Sequence, residues 1–157
     1  ILNPTVNSYG RSCRDKGNCP LEEVCLTPNI ISRADVSNNK DNETKFYYGL
    51  TETFKERYRD HKKSLEHERY RYDTELSKYV WELSDQQKSV VIKWSIAKKI
   101  NGKIKSDFCK LCLTEKYFIL SALGDSKSLN KRSEFISKCR HQNKLFLSSI
   151  LHKDSMD

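Results

Sequence analysis

Between Lys45 and Leu65 the chain reads KFYYGLTETFKERYRDHKKSL, and few local paths suit such a run. Phe46-Tyr47-Tyr48 is a short aromatic strand that leads into Gly49. Leu50-Thr51-Glu52-Thr53 reads as a turn, after which a basic helix starts. Thr53 suits an N-cap, and Glu56 stands three residues later as in a capping box. A glycine between strand and helix lets the backbone pass close to another group. Arg57, Tyr58 and His61 fall on adjoining faces of that helix. A tyrosine, an arginine and a histidine therefore converge on one strand-to-helix corner, which reads as a site.

At 157 residues the chain fits one domain. It begins with Ile1, as a piece of a longer protein would. Hydrophobic residues make up 36%, enough for a small core, and the 32% that are charged supply a soluble surface. The net charge of +8 favours a polyanionic partner, with nucleic acid the usual one, over a merely basic surface. No apolar run reaches the ~18 residues of a membrane span, and no signal peptide is visible.

The remaining elements follow in order. Residues 1–12 read as a linker, and 1–28 as linker plus a cysteine-rich, zinc-binding segment. Residues 29–36 form a strand, NNKDNET (38–44) a turn, and 45–50 the returning antiparallel strand. A long basic helix covers 53–70, with Phe54, Tyr58 and Leu65 as a narrow buried stripe. Lys55, Arg57, Arg59, Lys62 and Lys63 surround that stripe, either as a solvated face or tracking phosphates. A second helix spans 74–83, with Leu76, Tyr79, Val80 and Leu83 on one face and Trp81 read as core. Residues 90–96 are a strand dense in β-branched and aromatic side chains, and Asn101-Gly102 is a turn. A third helix covers 114–123, with Leu113, Tyr117, Leu120 and Ala122 or Leu123 as its buried side and Gly124 as its C-cap. A tail helix covers about 132–151. The pattern is α+β: a small three-stranded antiparallel sheet flanked by helices, the main domain occupying 29–151.

Six cysteines in a chain large enough to need no disulfides point to a reducing compartment, cytosolic or nuclear. Cys109-x-x-Cys112 is a pair of metal-ligand type, and Cys13, Cys19 and Cys25 sit in a charged loop like a zinc knuckle. The expected structural zinc site is one closed set, Cys19, Cys25, Cys109 and Cys112, with Cys13 as an alternate ligand. Cys139 and His141 are a further possible pair, but Cys139 at helical spacing from Phe135 reads as buried packing.

Four ordered blocks, YYGLTETFKERYRDHKKSL (47–65), ELSKYVWEL (75–83), CKLCLTEKYFIL (109–120) and LNKRSEFISKCRHQNK (129–144), together resemble the GIY-YIG endonuclease domain of Penelope-like retroelements over roughly residues 13–147. The resemblance implies a compact sheet-and-helix domain that hydrolyses DNA phosphodiesters with one Mg²⁺ or Mn²⁺. Tyr47 matches the YIG tyrosine, Arg57 the arginine of the first helix, His61 the histidine one turn on, Glu115 the metal-binding glutamate and Asn130 the late asparagine. Tyr47, its pKa lowered by metal and arginines, would deprotonate or position the attacking water. Arg57 would hold the phosphate with its planar fork. Asn130 would keep a loop or a water in register. His61 would move a proton or hydrogen-bond within the helix corner. Glu115 reads on spacing alone as a capping charge, and through the resemblance as the metal ligand. Lys55, Arg59, Lys62 and Lys63 would contact DNA.

Ser32 stands where the family has the tyrosine of its first motif. The implied function is nicking in target-primed integration by a nuclear retroelement protein, with an RNA template brought by an upstream reverse transcriptase domain. A second implied reading is a nucleic-acid-binding domain of the same fold that lost its chemistry through Ser32. A third, unrelated reading is a zinc-stabilised protein-interaction domain, which the basic charge disfavours.

Overall fold

The computed structural model describes residues 13–101, 109–136 and 138–139. Its centre is a three-stranded antiparallel sheet in the order β2-β1-β3, where β1 is Pro28–Asn38, β2 Lys45–Thr53 and β3 Val90–Lys99. Helices α1 (Phe54–Glu66) and α2 (Glu75–Asp85) lie between β2 and β3 in sequence, and α3 (Lys110–Ala122) and the single turn α4 (Arg132–Phe135) follow.

Side chains alternate across a strand, so β1 feeds two cores. Ile30, Ala34 and Val36 join Tyr47, Phe54, Leu76, Leu83 and Trp94 on one face, beside Cys13, Leu21 and Cys25. Ile31 joins Leu50, Cys109, Leu111, Cys112 and Cys139 on the other. The sheet is thus the middle layer, with α1, α2 and the cysteine loop on one side and α3 on the other. Phe54, Tyr58, His61 and Trp94 form an aromatic cluster under α1.

Strand and helix order agree with expectation; several boundaries and faces do not. β2 runs straight to Thr53, which still pairs with Pro28, so there is no turn at 50–53. Thr53 occupies the N-cap of α1 without a side-chain cap bond, and its own N–H is taken by Thr51 Oγ1 at 3.0 Å, so the Thr53–Glu56 capping box does not form. A reciprocal box forms on α2 instead, between Thr74 and Ser77. α1 ends at Glu66, and a 3₁₀ turn, Glu68–Tyr70, follows. Its buried residues are Phe54, His61 and Ser64, with Tyr58 and Leu65 half-buried. Trp81 is half-buried and donates to the Ser64 carbonyl, tying α2 to α1 as a core residue would.

The largest correction concerns α3. It begins four residues earlier than Thr114 and buries Leu111, Cys112, Lys116, Ile119 and Ala122. Leu113, Tyr117, Leu120 and Leu123 are exposed, so of the expected face only Ala122 is buried. The helix is apolar around most of its girth, so periodicity alone could not choose the side that meets the sheet. Leu123 is the C-cap in right-handed helical geometry, not Gly124. Residues 1–12, Gly102, His141 and most of the expected tail helix lie outside the described residues.

Candidate functional site

β2 is an edge strand, and an edge strand exposes alternate N–H groups that need acceptors. The outward N–H groups of Phe46, Tyr48 and Leu50 are each satisfied differently. Phe46 N donates to the Lys127 carbonyl at 2.9 Å, while Leu129 N returns a bond to the Phe46 carbonyl. Tyr48 N donates to Asn130 Oδ1 at 2.8 Å. Leu50 N donates to Glu115 Oε1 at 3.0 Å. Two of the expected site residues, Glu115 from α3 and Asn130 from the loop before α4, are therefore pinned to one strand edge. Glu115 does not cap its own helix; it lies in the second turn and spans to β2.

Tyr47 points to the opposite face and is 5% exposed. Its hydroxyl donates to Glu134 Oε1 at 3.0 Å, and its ring lies edge-on to His61 with centroids 6.2 Å apart. Burial first, and then the Glu134 carboxylate, push the Tyr47 phenol above its usual range, although the Arg57 guanidinium pulls the other way. In the protein without a metal, burial outweighs the Arg57 cation. His61 is buried between Tyr47 and Trp94, a packing position in the helix corner. Arg57 keeps a buried Nε with no hydrogen-bond partner among the described residues. It lines a cavity at the α1–α2 junction together with His61, Lys63 and two carboxylates, Asp60 and Asp73. A guanidinium N–H left unpaired in a concave setting is matched to an oxyanion.

Ser32 pairs with Gly49 across β1 and β2, and its Oγ donates to the Gly49 carbonyl at 3.0 Å. No hydroxyl group reaches outward there. Gly49 has no left-handed backbone, and a Cβ would meet only Tyr47 Cε1 at an ordinary 3.5 Å. The expected close backbone approach at this glycine is thus absent among the described residues.

Tyr47, Arg57, His61, Glu115 and Asn130 gather around β2. Glu134 completes the group and was missed in the sequence. Its Oε2 receives Asn130 Nδ2 at 3.2 Å and Lys131 N at 2.8 Å, and its carbonyl receives the buried Lys116 ammonium at 2.6 Å. The available signal was local: Glu134 is four residues after Asn130, at the N3 position of α4.

The basic residues of α1 divide. Lys55, Arg59, Lys62 and Lys63 are all exposed. Lys62 Nζ lies 3.7 Å from Glu66, and Lys63 Nζ sits 4.4 Å above the Tyr70 ring.

Six cysteines form two groups rather than the one site expected. Cys13, Cys19 and Cys25 bring their sulfurs within 4.8 Å of one another, and so do Cys109, Cys112 and Cys139. The groups lie in the two cores on opposite faces of the sheet, so Cys19 and Cys25 cannot share an ion with Cys109 and Cys112. Cys13 is a full member of its set, and Cys139 is a candidate ligand rather than packing alone. Sulfurs around a tetrahedral zinc at ~2.3 Å fall at similar separations, so each group can hold a metal such as zinc. Cys13 and Cys25 sulfurs lie 3.4 Å apart. Burial pushes the Cys19 thiol up, but bonds from the Leu21 backbone and from Cys13 and Cys25 outweigh it and hold Cys19 at about 7. Burial and the two neighbouring thiols push Cys25 to about 12. One thiolate already favoured among three sulfurs is the arrangement from which a cation displaces the remaining protons.

No family model matches the chain, and neither does a curated protein or a solved structure. No described helix is long and apolar enough to cross a membrane.

Proposed function

We propose that the chain is a metal-dependent DNA endonuclease of the GIY-YIG type that nicks one strand by phosphodiester hydrolysis. The observation that carries this reading is the convergence on β2 of Tyr47, Glu115 and Asn130, with the Arg57 guanidinium, whose Nε is buried and unpaired, near enough for its charge to act on the Tyr47 phenol.

Hydrolysis concentrates negative charge on the phosphoryl oxygens. Arg57 supplies donors of fixed geometry for them. Glu115 offers hard carboxylate oxygen, the donor type suited to a single Mg²⁺ or Mn²⁺ that keeps most of its water. Such an ion, when bound, would neutralise charge on the phosphate. The Tyr47 phenol lies within reach of the Arg57 and Glu115 charges and would accept the proton of the attacking water. Asn130 fixes the strand edge that carries both. The exposed lysines and Arg59 of α1 attract the DNA backbone. Two structural zinc ions, one in each cysteine group, brace the two faces of the sheet. Insertion of a retroelement by target-primed synthesis in the nucleus, beside a reverse transcriptase, is the biological setting this reading suggests.

A second reading has its own observation. Ser32 spends its hydroxyl on the Gly49 carbonyl, so the first-motif phenol has no replacement there. The domain would then grip nucleic acid without cutting it.

A nicking assay on supercoiled plasmid with Mg²⁺ or Mn²⁺, wild type beside Glu115→Gln, separates the two. Cutting by wild type alone supports the nuclease. A gel shift by both with no cutting by either supports the binding domain. Neither cutting nor binding sinks both readings.

A further inference from the structure

We propose that Glu134 is a positioning residue and the terminal proton acceptor behind Tyr47, so that the tyrosine works as a neutral relay rather than as a phenolate. This rests on the nuclease reading above.

A phenol has one proton, and that of Tyr47 is committed to Glu134 Oε1 at 3.0 Å. The Tyr47 oxygen therefore presents lone pairs, not a donor, to a water on its other side. The carboxylate is held in place to take that proton. Its second oxygen is fixed by Asn130 Nδ2 and the Lys131 N–H, and its main-chain carbonyl by the Lys116 ammonium. α4 is thereby tied to β2 and α3 at one residue. The same burial and negative charge that hold Tyr47 neutral leave the phenolate form scarcely populated, so the water's proton has to pass through the neutral phenol.

The step balances without any further reactant. The attacking water loses a proton to Tyr47 Oη as its electron pair forms the new P–O bond. The Tyr47 O–H bond breaks at the same time, and its proton goes to Glu134 Oε1. The scissile P–O bond breaks with its electron pair on the leaving sugar oxygen, which takes a proton from solvent. Glu134 later returns its proton to bulk water.

The test compares wild type, Glu134→Gln, Glu134→Asp, Tyr47→Phe and the Gln/Phe double variant. Single-turnover nicking, DNA affinity and melting temperature are measured for each. Glu134→Gln is nearly isosteric but cannot take the proton. It should cut at least about 100-fold more slowly, while DNA affinity stays within about twofold. Glu134→Asp should recover about tenfold of that loss, and the double variant should be no more than about threefold slower than Tyr47→Phe, because one relay is broken only once. Near-wild-type cutting by Glu134→Gln overturns the relay and leaves the nuclease reading standing. So do additive losses in the double variant, or a rate loss that tracks lost affinity and melting temperature without recovery in Asp. A wild type that does not cut overturns the nuclease reading and the relay together.

Discussion

Asn130 holds Tyr48 by both of its main-chain groups: Oδ1 accepts from the Tyr48 N–H at 2.8 Å, and Nδ2 donates to the Tyr48 carbonyl at 3.0 Å. The amide imitates one residue of a neighbouring strand and is 6% exposed. Asn130→Asp keeps the acceptor but turns an oxygen toward a carbonyl and toward Glu134. We expect a loss of about 2 kcal/mol, a fall in melting temperature of about 4–8 °C. An unchanged thermal melt would show that the clamp contributes nothing to stability.

Glu115 holds the strand edge and, in the proposed reading, the metal, and different substitutions separate the two. Glu115→Gln keeps an oxygen for the Leu50 N–H but loses the charge needed for a hard cation. Its stability should remain within about 0.5 kcal/mol of wild type while nicking falls by at least about 100-fold. Glu115→Ala leaves the Leu50 N–H without that partner and should lose a further 1–3 kcal/mol, roughly, in denaturant unfolding. Equal stability of the two variants would remove the strand-edge role.

Two separate thiol groups predict two zinc ions for each chain. Cys25→Ser and Cys112→Ser should each release one and leave the other, as read by metal analysis after dialysis. One ion in all for each wild-type chain, lost completely with either substitution, would restore the shared four-thiolate site. Strong chelation should lower the melting temperature, because the ion's binding energy is folding energy.

The basic face of α1 should set the salt dependence of DNA binding. Alanine at Lys55, Arg59 or Lys62 should weaken affinity on every sequence alike. Each should flatten the slope of log affinity against log salt by about 0.9 for every phosphate the variant no longer neutralises. Because Lys62 is shared with Glu66 at 3.7 Å, its effect should be the smallest of the three. A flat salt titration of the wild type would remove nucleic acid as the partner.

Tyr47 should make the fold sensitive to alkali. Its folded pKa is raised, so the stability tied to the neutral phenol is complete below the unfolded value of about 10 and is lost as pH climbs through the folded value. Alkaline titration followed by tyrosine ultraviolet absorbance should show one phenol ionising only as the protein unfolds, and Tyr47→Phe should abolish that step. Superimposable titrations of the two proteins would place another residue there.

Order and type of the elements were legible where the signal is local. The alternation around Ile30–Val36, the β-branched run at Val90–Ile96 and the amphipathic face of α2 each specify their own backbone, since side-chain period and backbone period are linked. Tyr47, Arg57, Glu115 and Asn130 could be singled out through the resemblance of their blocks, and the fold brings them to one strand. Three features could not be read. The buried side of α3 was ambiguous because leucines and aromatics surround it, and packing against Ile31 and Leu50 made the choice. The partition of the cysteines depended on which side of the sheet each segment crosses, which cysteine spacing does not encode. Glu134 meets its partner hydroxyl 87 residues away. Propensity and periodicity act within a few residues along the chain. A layer, a ligand set or a hydrogen-bonded relay exists only after distant segments have been packed against one another.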